Sequence, residues 1–214
     1  MDLGSANNIE SYTVIRGRST IGDGNSLGPF LSIGSPGLDS KTRTAYGDKG
    51  VTIGDANVIG DFVSIKQGQL KPTRLGSHNT IGSNVSIGHD VDIDSNVLVL
   101  PGSIIAGHCV LQTHSLVGPN STLRPRVVLG AYSTLAQQSL VSGPVPPLCL
   151  YSQGRPLRTN LFNLPEGHRL KTLLARVPYP QIPWCEPELA AIWSLYADAV
   201  ENNYGRRPFA PTEA

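Results

Sequence analysis

An all-β fold built as a parallel β-helix is predicted by three features of this 214-residue sequence. Twelve aliphatic residues follow one another at intervals of six, without a break, from Leu75 to Val141. Glycine comes directly after five of them, and the position four residues after each aliphatic is small or β-branched. A period of six fits neither a helix nor one long strand, and it is typical of coils in which three hexads close one turn and every eighteenth residue stacks on its predecessor.

The same register is present nearer the N-terminus, with two interruptions. It runs from Ile15 to Ile33 and again from Ile53 to Ile65. Residues 35–51, which separate these runs, are rich in proline, glycine and charge, and this predicts an inserted loop in solvent. A slip of four residues falls at 67–74. The four, three and twelve hexads add up to nineteen, enough for six to seven coils.

The composition changes near residue 150, which divides the chain into two parts. Of the 23 glycines, 20 lie before this point, and Pro144, Pro146 and Pro147 stop the coil because proline cannot donate to a ladder. We therefore expect the β-helix in residues 1–148 and a C-terminal extension in residues 149–214. Helical spacing of apolar residues predicts two helices in the extension, at 166–177 and 187–203, as a small α-helical appendage that covers the open last coil.

Composition narrows the class of function. The net charge is +1, from 17 basic and 16 acidic residues, which argues against a nucleic-acid-binding or membrane-binding surface. No apolar run is long enough for a membrane span, and the polar start lacks the plan of a signal peptide. The three cysteines have no metal-like spacing, so a reduced, cytoplasmic protein is expected. Stacked coils leave flat sides that tend to associate, which predicts a homotrimer.

Two histidines break the regular repeat and mark the candidate site. His89 follows Ile87 and Gly88, and His108 follows Ile105 to Gly107. Because Ile87 and Ile105 are eighteen residues apart, both histidines must emerge at one edge of adjacent coils. Histidine can take a proton from a hydroxyl or an amine, and the neighbouring carboxylate of Asp90 can orient it. Gly107 can turn its N–H toward a developing oxyanion. Arg124, one coil further on, belongs to the same side.

Besides general-base catalysis by His89, two functions are compatible with these residues. A metalloenzyme similar to the gamma-class carbonic anhydrases would need three convergent histidines, the third being His78 or His114 of a neighbouring copy. A catalytically inactive scaffold trimer would keep His89 and Asp90 as exposed corner residues. A covalent intermediate on a serine is disfavoured because the repeat pairs no serine with a histidine. We expect neither a metal nor another cofactor.

About two thirds of the chain resembles the UDP-N-acetylglucosamine O-acyltransferases of lipid A biosynthesis. The general hexad is shared by many acyltransferases, whereas the interval from His89 to His108 and the segment at 163–166 are more specific. The matching pieces are Ile21-Gly22-Asp23-Gly24-Asn25, Phe30 to Gly34, Asp39 and Lys41, Val63-Ser64-Ile65, Ile87 to Asp90, Ile105 to His108, Val145 to Pro147, Gln153-Gly154, Asn163 and Glu166-Gly167.

The resemblance implies a left-handed β-helix trimer that moves an acyl group from acyl carrier protein to a sugar hydroxyl. It makes His89 the general base, Asp90 its partner, Gly107 the backbone oxyanion donor and His108 a site residue. It places Asp39, Lys41, Asn163 and Glu166 at the acceptor. A family arginine is replaced by Leu170, unless a one-residue insertion lets Arg169 serve in its place. It also implies that basic residues of the appendage receive the acidic carrier protein; the candidates are Arg169, Lys171 and Arg176.

This sequence departs from the family pattern at the walls of the site. Ser86 and Arg124 stand where the family has histidines, and Pro125 stands where it has a glutamine. Roughly two coils are absent at the N-terminus. A retained core with altered walls favours the same reaction on a different acceptor or acyl chain. The sequence thus predicts acyl transfer from a carrier-protein or CoA thioester to a hydroxyl or amine of a nucleotide-sugar-like acceptor.

Overall fold

The protein folds as a three-sided parallel β-helix followed by a helical extension. The computed structural model describes residues 1–37 and 48–208. Within them, short strands wind into seven complete coils, and each coil gives one strand to each of three sheets, named A, B and C. The predicted all-β class is confirmed.

The strands of the three sheets follow one another in strict rotation. Sheet A contains β1 (Asp2–Leu3), β4 (Ser19–Ile21), β7 (Val51–Ile53), β10 (Thr73–Leu75), β13 (Asp92–Ile93), β16 (Val110–Leu111) and β19 (Val128–Leu129). Sheet B contains β2 (Asn8–Ile9), β5 (Ser26–Leu27), β8 (Val58–Ile59), β11 (Thr80–Ile81), β14 (Leu98–Val99), β17 (Leu116–Val117), β20 (Thr134–Leu135), β22 (Cys149–Tyr151) and β23 (Arg158–Thr159). Sheet C contains β3 (Val14–Ile15), β6 (Ser32–Ser35), β9 (Ser64–Lys66), β12 (Ser86–Ile87), β15 (Ile104–Ile105), β18 (Thr122–Leu123) and β21 (Leu140–Val141).

The aliphatic residues of the repeat form the core of the prism. Ile87 pairs with Ile65 on one side and with Ile105 on the other, and all three side chains are almost fully buried. The register also survives both interruptions, because Ile53 pairs with Ile21 across the inserted loop and with Leu75 across the slip. Both insertions therefore leave the stacked core unchanged.

The register begins earlier than the sequence pattern indicated. The first predicted hexad was at Ile15, but β1 and β2 add Leu3 and Ile9, six residues apart, in front of it. Both side chains are exposed at the open end of the prism and are surrounded by polar residues. Two isolated aliphatics did not stand out as a repeat, so this part of the prediction was two hexads too late.

The turns between sheets define three corners, which we name A–B, B–C and C–A. The third residue of most turns has a positive φ, such as Asp90 at 58° and His108 at 64°. Asparagine, aspartate and histidine tolerate this left-handed region better than β-branched residues do. Inside the A–B corner the amides of Asn25, Asn57 and Asn79 form a buried ladder of hydrogen bonds that ends at the N–H of Val97.

The C-terminal extension contains two α-helices. Helix α1 (Arg169–Leu174) is shorter than the predicted 166–177, because Gly167 with φ of 76° lies outside it and the side chain of His168 caps its first turn. A 3-10 turn follows at Tyr179–Gln181. Helix α2 (Pro187–Tyr204) ends at Gly205 in the left-handed conformation, one residue beyond the predicted end. Neither helix is long and apolar enough to cross a membrane.

The extension does more than close the last coil. Leu164, Leu170 and Tyr179 continue the hydrophobic core at the end of the prism, in keeping with a covering role. Helix α2 instead lies across sheet A, where Tyr196 and Val200 pack on Val128. The expectation of a simple cap is therefore corrected, because helix α2 also covers the last strands of sheet A on the side of the prism.

Candidate functional site

The C–A corner brings the two predicted histidines together. His89 and His108 come from adjacent coils, and their ring centroids lie 4.9 Å apart with the rings nearly perpendicular. The backbone fixes this pair, since the N–H of His108 donates to the carbonyl of His89 at 3.0 Å. The proximity predicted from the eighteen-residue stacking is confirmed.

Asp90 holds His89 from behind. One carboxylate oxygen, Oδ2, lies 2.7 Å from Nδ1 of His89, and Asp90 itself is fully buried. An ionised carboxylate only accepts hydrogen bonds, so Nδ1 of His89 carries the proton and Nε2 is left free to accept another. The pair therefore has the arrangement of an oriented general base.

The four-residue slip builds a cradle for the other oxygen of Asp90. The backbone N–H groups of Gln69, Leu70 and Lys71 donate to Oδ1 at 3.0, 2.7 and 2.8 Å. Burial alone would raise the pKa of this carboxyl, but the N–H of Lys71, His89 and the two other N–H groups outweigh it and hold the pKa below its ordinary value. Asp90 is therefore a carboxylate at neutral pH.

His108 is kept neutral by its surroundings. Burial lowers the pKa of its imidazole; the nearby Asp90 carboxylate opposes this, while His89, Arg126 and Lys71 lower it further. Neutral imidazole can donate through one nitrogen and accept through the other. His108 can therefore bind a polar group of a substrate without placing a positive charge beside His89.

Two glycines leave room around the ring of His89. A Cβ added to Gly107 would lie 2.8 Å from Nε2 of His89, and one added to Gly37 would lie 2.9 Å from Cβ of His89. In the part of the chain that the structure describes, no group accepts a hydrogen bond from the N–H of Gly107. The equivalent position one coil later is Pro125, which has no N–H, so the repeat does not use this donor. The N–H of Gly107 is thus without a partner among the described residues, on a residue that lies next to the ring of His89.

Two further predicted residues, Ser86 and Arg124, flank this corner on the C side. Ser86 is on β12, half-buried on the outer face of sheet C. Arg124 follows β18 and is exposed. Among the described residues, the side chain of His89 bonds to Asp90 and not to Ser86 or Arg124, so both belong to the surroundings of the site. Asp39 and Lys41 lie outside the described residues.

The remaining predicted residues are on a different corner of the same protomer. Asn163 donates to the carbonyl of Ser133 at 3.0 Å, which places it at the A–B corner. Glu166 is exposed and pairs with Lys171 at 2.6 Å, and Arg169 pairs with Glu188 at 2.7 Å.

An aromatic column stands beside these residues. His114 stacks on Tyr132 with ring centroids 5.0 Å apart, and His168 leans against the same tyrosine. One protomer alone therefore does not bring Asn163, Glu166 or Arg169 to His89.

A metal ion fits the C–A corner poorly. Ligand atoms of His89, Asp90 and His108 all lie within 4.8 Å of one another. Both oxygens of Asp90 are already engaged, however, one by His89 and the other by three N–H groups. A metal ion could bind Asp90 only by displacing these donors. Without Asp90, the corner offers two imidazoles, whereas zinc sites use three or more protein ligands.

Sequence reasoning missed several residues that shape the site. Gly37 packs on His89, the cradle is made by Gln69, Leu70 and Lys71, and Asn203 reaches the corner from helix α2. The break in the hexads at 67–74 was a usable signal for the cradle, because an insertion next to a candidate aspartate invites a functional explanation. No comparable signal marks Asn203.

Comparison with known proteins identifies the fold. No protein-family model matches the chain. Among solved structures, it is similar to the UDP-N-acetylglucosamine acyltransferase from Campylobacter jejuni at 22% identity and a TM-score of 0.75, over 99% of this chain and 81% of that one. The UDP-N-acetylglucosamine acyltransferase from Francisella novicida is 22% identical with a TM-score of 0.74, over 99% of this chain and 85% of that one. LpxA from Acinetobacter baumannii is 21% identical with a TM-score of 0.70, over 94% of this chain and 81% of that one.

These likenesses extend over nearly the whole chain, so they confirm the left-handed β-helix that the resemblance predicted. The chain has the fold of the UDP-N-acetylglucosamine acyltransferases, at a sequence identity of 21–22% to these three.

Proposed function

We propose that the protein is an acyltransferase of the hexapeptide-repeat kind. It moves an acyl group from the thioester of acyl carrier protein or CoA to a hydroxyl or amine of a nucleotide-sugar-like acceptor. The observation that carries this proposal is the pair of half-buried His89 and buried Asp90, 2.7 Å apart, with Gly107, whose N–H has no partner among the described residues, next to the free ring nitrogen.

The geometry supports direct transfer in two steps. Nε2 of His89 takes the proton from the acceptor as its oxygen or nitrogen attacks the thioester carbonyl carbon. The N–H of Gly107 donates to the oxyanion of the tetrahedral intermediate. The carbon–sulfur bond then breaks, and the proton on Nε2 passes to the departing thiolate. The thioester supplies the driving force, so the reaction needs no cofactor.

An acyl-enzyme intermediate on cysteine is disfavoured by burial. Burial raises the pKa of the Cys109 and Cys149 thiols to about 12 in each case, so neither forms a thiolate at neutral pH. Cys185 is exposed but lies in the extension, between the 3-10 turn and helix α2. The acyl group therefore passes straight from the donor to the acceptor.

The acceptor site is shared between two copies of the chain in this proposal. The residues that the resemblance assigns to the acceptor, Asn163, Glu166 and Arg169, lie at the A–B corner, away from His89. In the proposed homotrimer, where each interface joins two different surfaces, the C–A corner of one protomer lies against the A–B corner of the next. The acceptor then lies in the cleft between them.

The extension is the proposed contact for an acidic carrier protein. Arg169 and Lys171 each form an ion pair with a glutamate, and Arg176 is exposed beside a cavity of about 380 Å³. Exposed ion pairs are weak and exchange easily for new partners. Acyl transfer from carrier protein should therefore weaken as salt is raised, whereas transfer from CoA should depend on salt less.

The test compares His89→Ala with Asn84→Ala. Release of thiol is followed with short-chain and long-chain thioesters of carrier protein and CoA, against a panel of nucleotide sugars. Loss of a general base costs about 10²–10⁴-fold in turnover. We expect that loss for His89→Ala and none for Asn84→Ala, because Asn84 is exposed at the B–C corner, away from both proposed halves of the site.

Two outcomes would contradict the proposal. Turnover of a correctly assembled His89→Ala variant within tenfold of the parent would show that His89 is not the base. The absence of turnover by the parent with every donor and acceptor would instead favour the scaffold alternative.

The metalloenzyme alternative would have to use the convergent His89, Asp90 and His108, although both oxygens of Asp90 already have partners. It predicts stoichiometric metal by elemental analysis and loss of activity on chelation. An active preparation without bound metal would exclude it.

A further inference from the structure

One side chain of the extension reaches the candidate site. The amide nitrogen Nδ2 of Asn203 donates to the carbonyl of His108 at 3.2 Å and to the carbonyl of Arg126 at 3.2 Å. His108 and Arg126 occupy the same turn position on adjacent coils, eighteen residues apart, and both have a positive φ. A single amide therefore bridges two rungs of the corner that carries the histidines.

Among the residues that the structure describes, neither of these two carbonyls accepts a backbone hydrogen bond at the corner. There the N–H of His108 donates to His89, and the N–H of Arg126 donates to the carbonyl of Gly107. A primary amide has two N–H bonds in a fixed plane, so it can serve two acceptors at the spacing of neighbouring strands. Alanine has no donor at this position, and aspartate would turn an acceptor toward two carbonyl oxygens.

The path of helix α2 across sheet A explains how Asn203 arrives there. Gln112 donates from its side chain to the carbonyl of Leu195, at the other end of the same crossing. From Leu195 to Asn203 the helix advances about 12 Å. From Gln112 back to His108 the strand covers about 13 Å. The helix thus spans sheet A from corner to corner, with one amide contact at each end.

We propose that Asn203 is a positioning residue for acyl transfer. It ties the turns of His108 and Arg126 together and thereby keeps the N–H of Gly107 and the ring of His108 fixed against His89. This inference rests on the proposed function for its catalytic consequence, but not for its structural one. It also gives helix α2 a task at the active corner in addition to its packing on sheet A.

The experiment uses the full chain with Asn203→Ala and Asn203→Asp, and with Asn202→Ala as the matched control. Asn202 is the preceding residue of the same helix, is exposed and makes the same change in helix propensity. We expect about a tenfold fall in kcat for Asn203→Ala, with the KM for the thioester nearly unchanged, because small misplacements of catalytic groups are costly. Asn203→Asp should lose more, and Asn202→Ala should match the parent.

A second measurement follows the five histidine side chains by NMR in the unliganded protein. Asn203→Ala should shift the resonances of His89 and His108 and leave those of His78 and His114 in place, and Asn202→Ala should shift none. A helix that only packs on sheet A would not produce this pattern.

The two measurements separate this inference from the proposed function. If the parent shows no acyl transfer, the proposed function fails, and the NMR pattern alone decides whether Asn203 positions the corner. Unchanged resonances of His89 and His108 in Asn203→Ala would overturn the inference. If the parent does transfer acyl groups, a kcat of Asn203→Ala equal to that of the parent would overturn the catalytic part of the inference.

Discussion

At the scale of single residues, Gly107 carries the sharpest test of the site. A Cβ at this position would lie 2.8 Å from Nε2 and 2.9 Å from Cε1 of His89. The backbone of Gly107 is not in the left-handed region, so alanine adds no strain of that kind. We expect Gly107→Ala to displace the ring of His89 and to lower kcat by about 100-fold. Steady-state kinetics with the thioester donor would measure this.

The control for Gly107→Ala is Gly143→Ala, whose added Cβ meets nothing within 4 Å. Both variants should unfold in urea with free energies close to that of the parent. If Gly107→Ala keeps the parent's turnover, the space beside Nε2 is not where the acceptor is deprotonated.

Stacking arithmetic explains how much of the site could be predicted at this scale. His89 and His108 follow aliphatic residues eighteen apart, so their proximity needs only the repeat length. The unused N–H of Gly107 was also foreseeable, since Pro125 replaces it one coil later. The contact of Gly37 with His89 was not, because it depends on how an irregular segment folds back onto the prism.

At the scale of elements, the slip at 67–74 is the clearest case of an irregularity with a role. The extra residues leave the pairing of Ile53 with Leu75 intact and point three successive N–H groups at Oδ1 of Asp90. Hydrogen bonds to the charged form hold the pKa of Asp90 down, so folding stabilises the carboxylate. The cradle therefore links stability to pH.

Asp90→Asn should expose that link. Because the folded-state pKa of Asp90 is lowered, its contribution is fully present above the unfolded pKa of about 3.9 and is lost as the pH falls toward the folded value. We expect the variant to be about 1–3 kcal/mol less stable at pH 7. The difference should narrow below pH 4. Urea unfolding at a fixed protein concentration, from pH 7 to pH 3, would measure it.

A constant difference between parent and Asp90→Asn over this pH range would contradict the assignment. In that case the carboxylate would have the same pKa in the folded and unfolded states. A smaller change of stability at pH 7 with the same narrowing at low pH would still support the cradle.

Elements differ in how well the sequence predicts them. The strands follow from the hexads, because each aliphatic residue needs its own place inside the prism. The start of helix α2 follows from Pro187 and its spacing, but its docking across sheet A does not. That docking depends on the contact of Gln112 with Leu195, 83 positions apart in the sequence, and of His108 with Asn203, 95 positions apart. No local pattern encodes such distant contacts.

At the scale of the whole molecule, the prism separates two sets of chemically able residues. His89, Asp90 and Gly107 are at the C–A corner, whereas Asn163 and the stacked pair of His114 and Tyr132 are at the A–B corner. A rigid stack of parallel strands cannot fold one corner onto the other. If both sets act on one acceptor, they come from different copies of the chain.

This arrangement predicts complementation between two inactive variants. His89→Ala removes the base from one corner, and Asn163→Ala combined with Glu166→Ala removes the proposed acceptor contacts from the other. In a mixed trimer, a site is intact only where the C–A corner comes from the second variant and the A–B corner from the first. Random assembly from equal amounts restores about a quarter of the parent's activity, because interfaces around a rotation axis join two different surfaces. Mixtures refolded together should show this recovery, and mixtures of folded trimers without exchange should not. No recovery after joint refolding would place the complete site within one protomer.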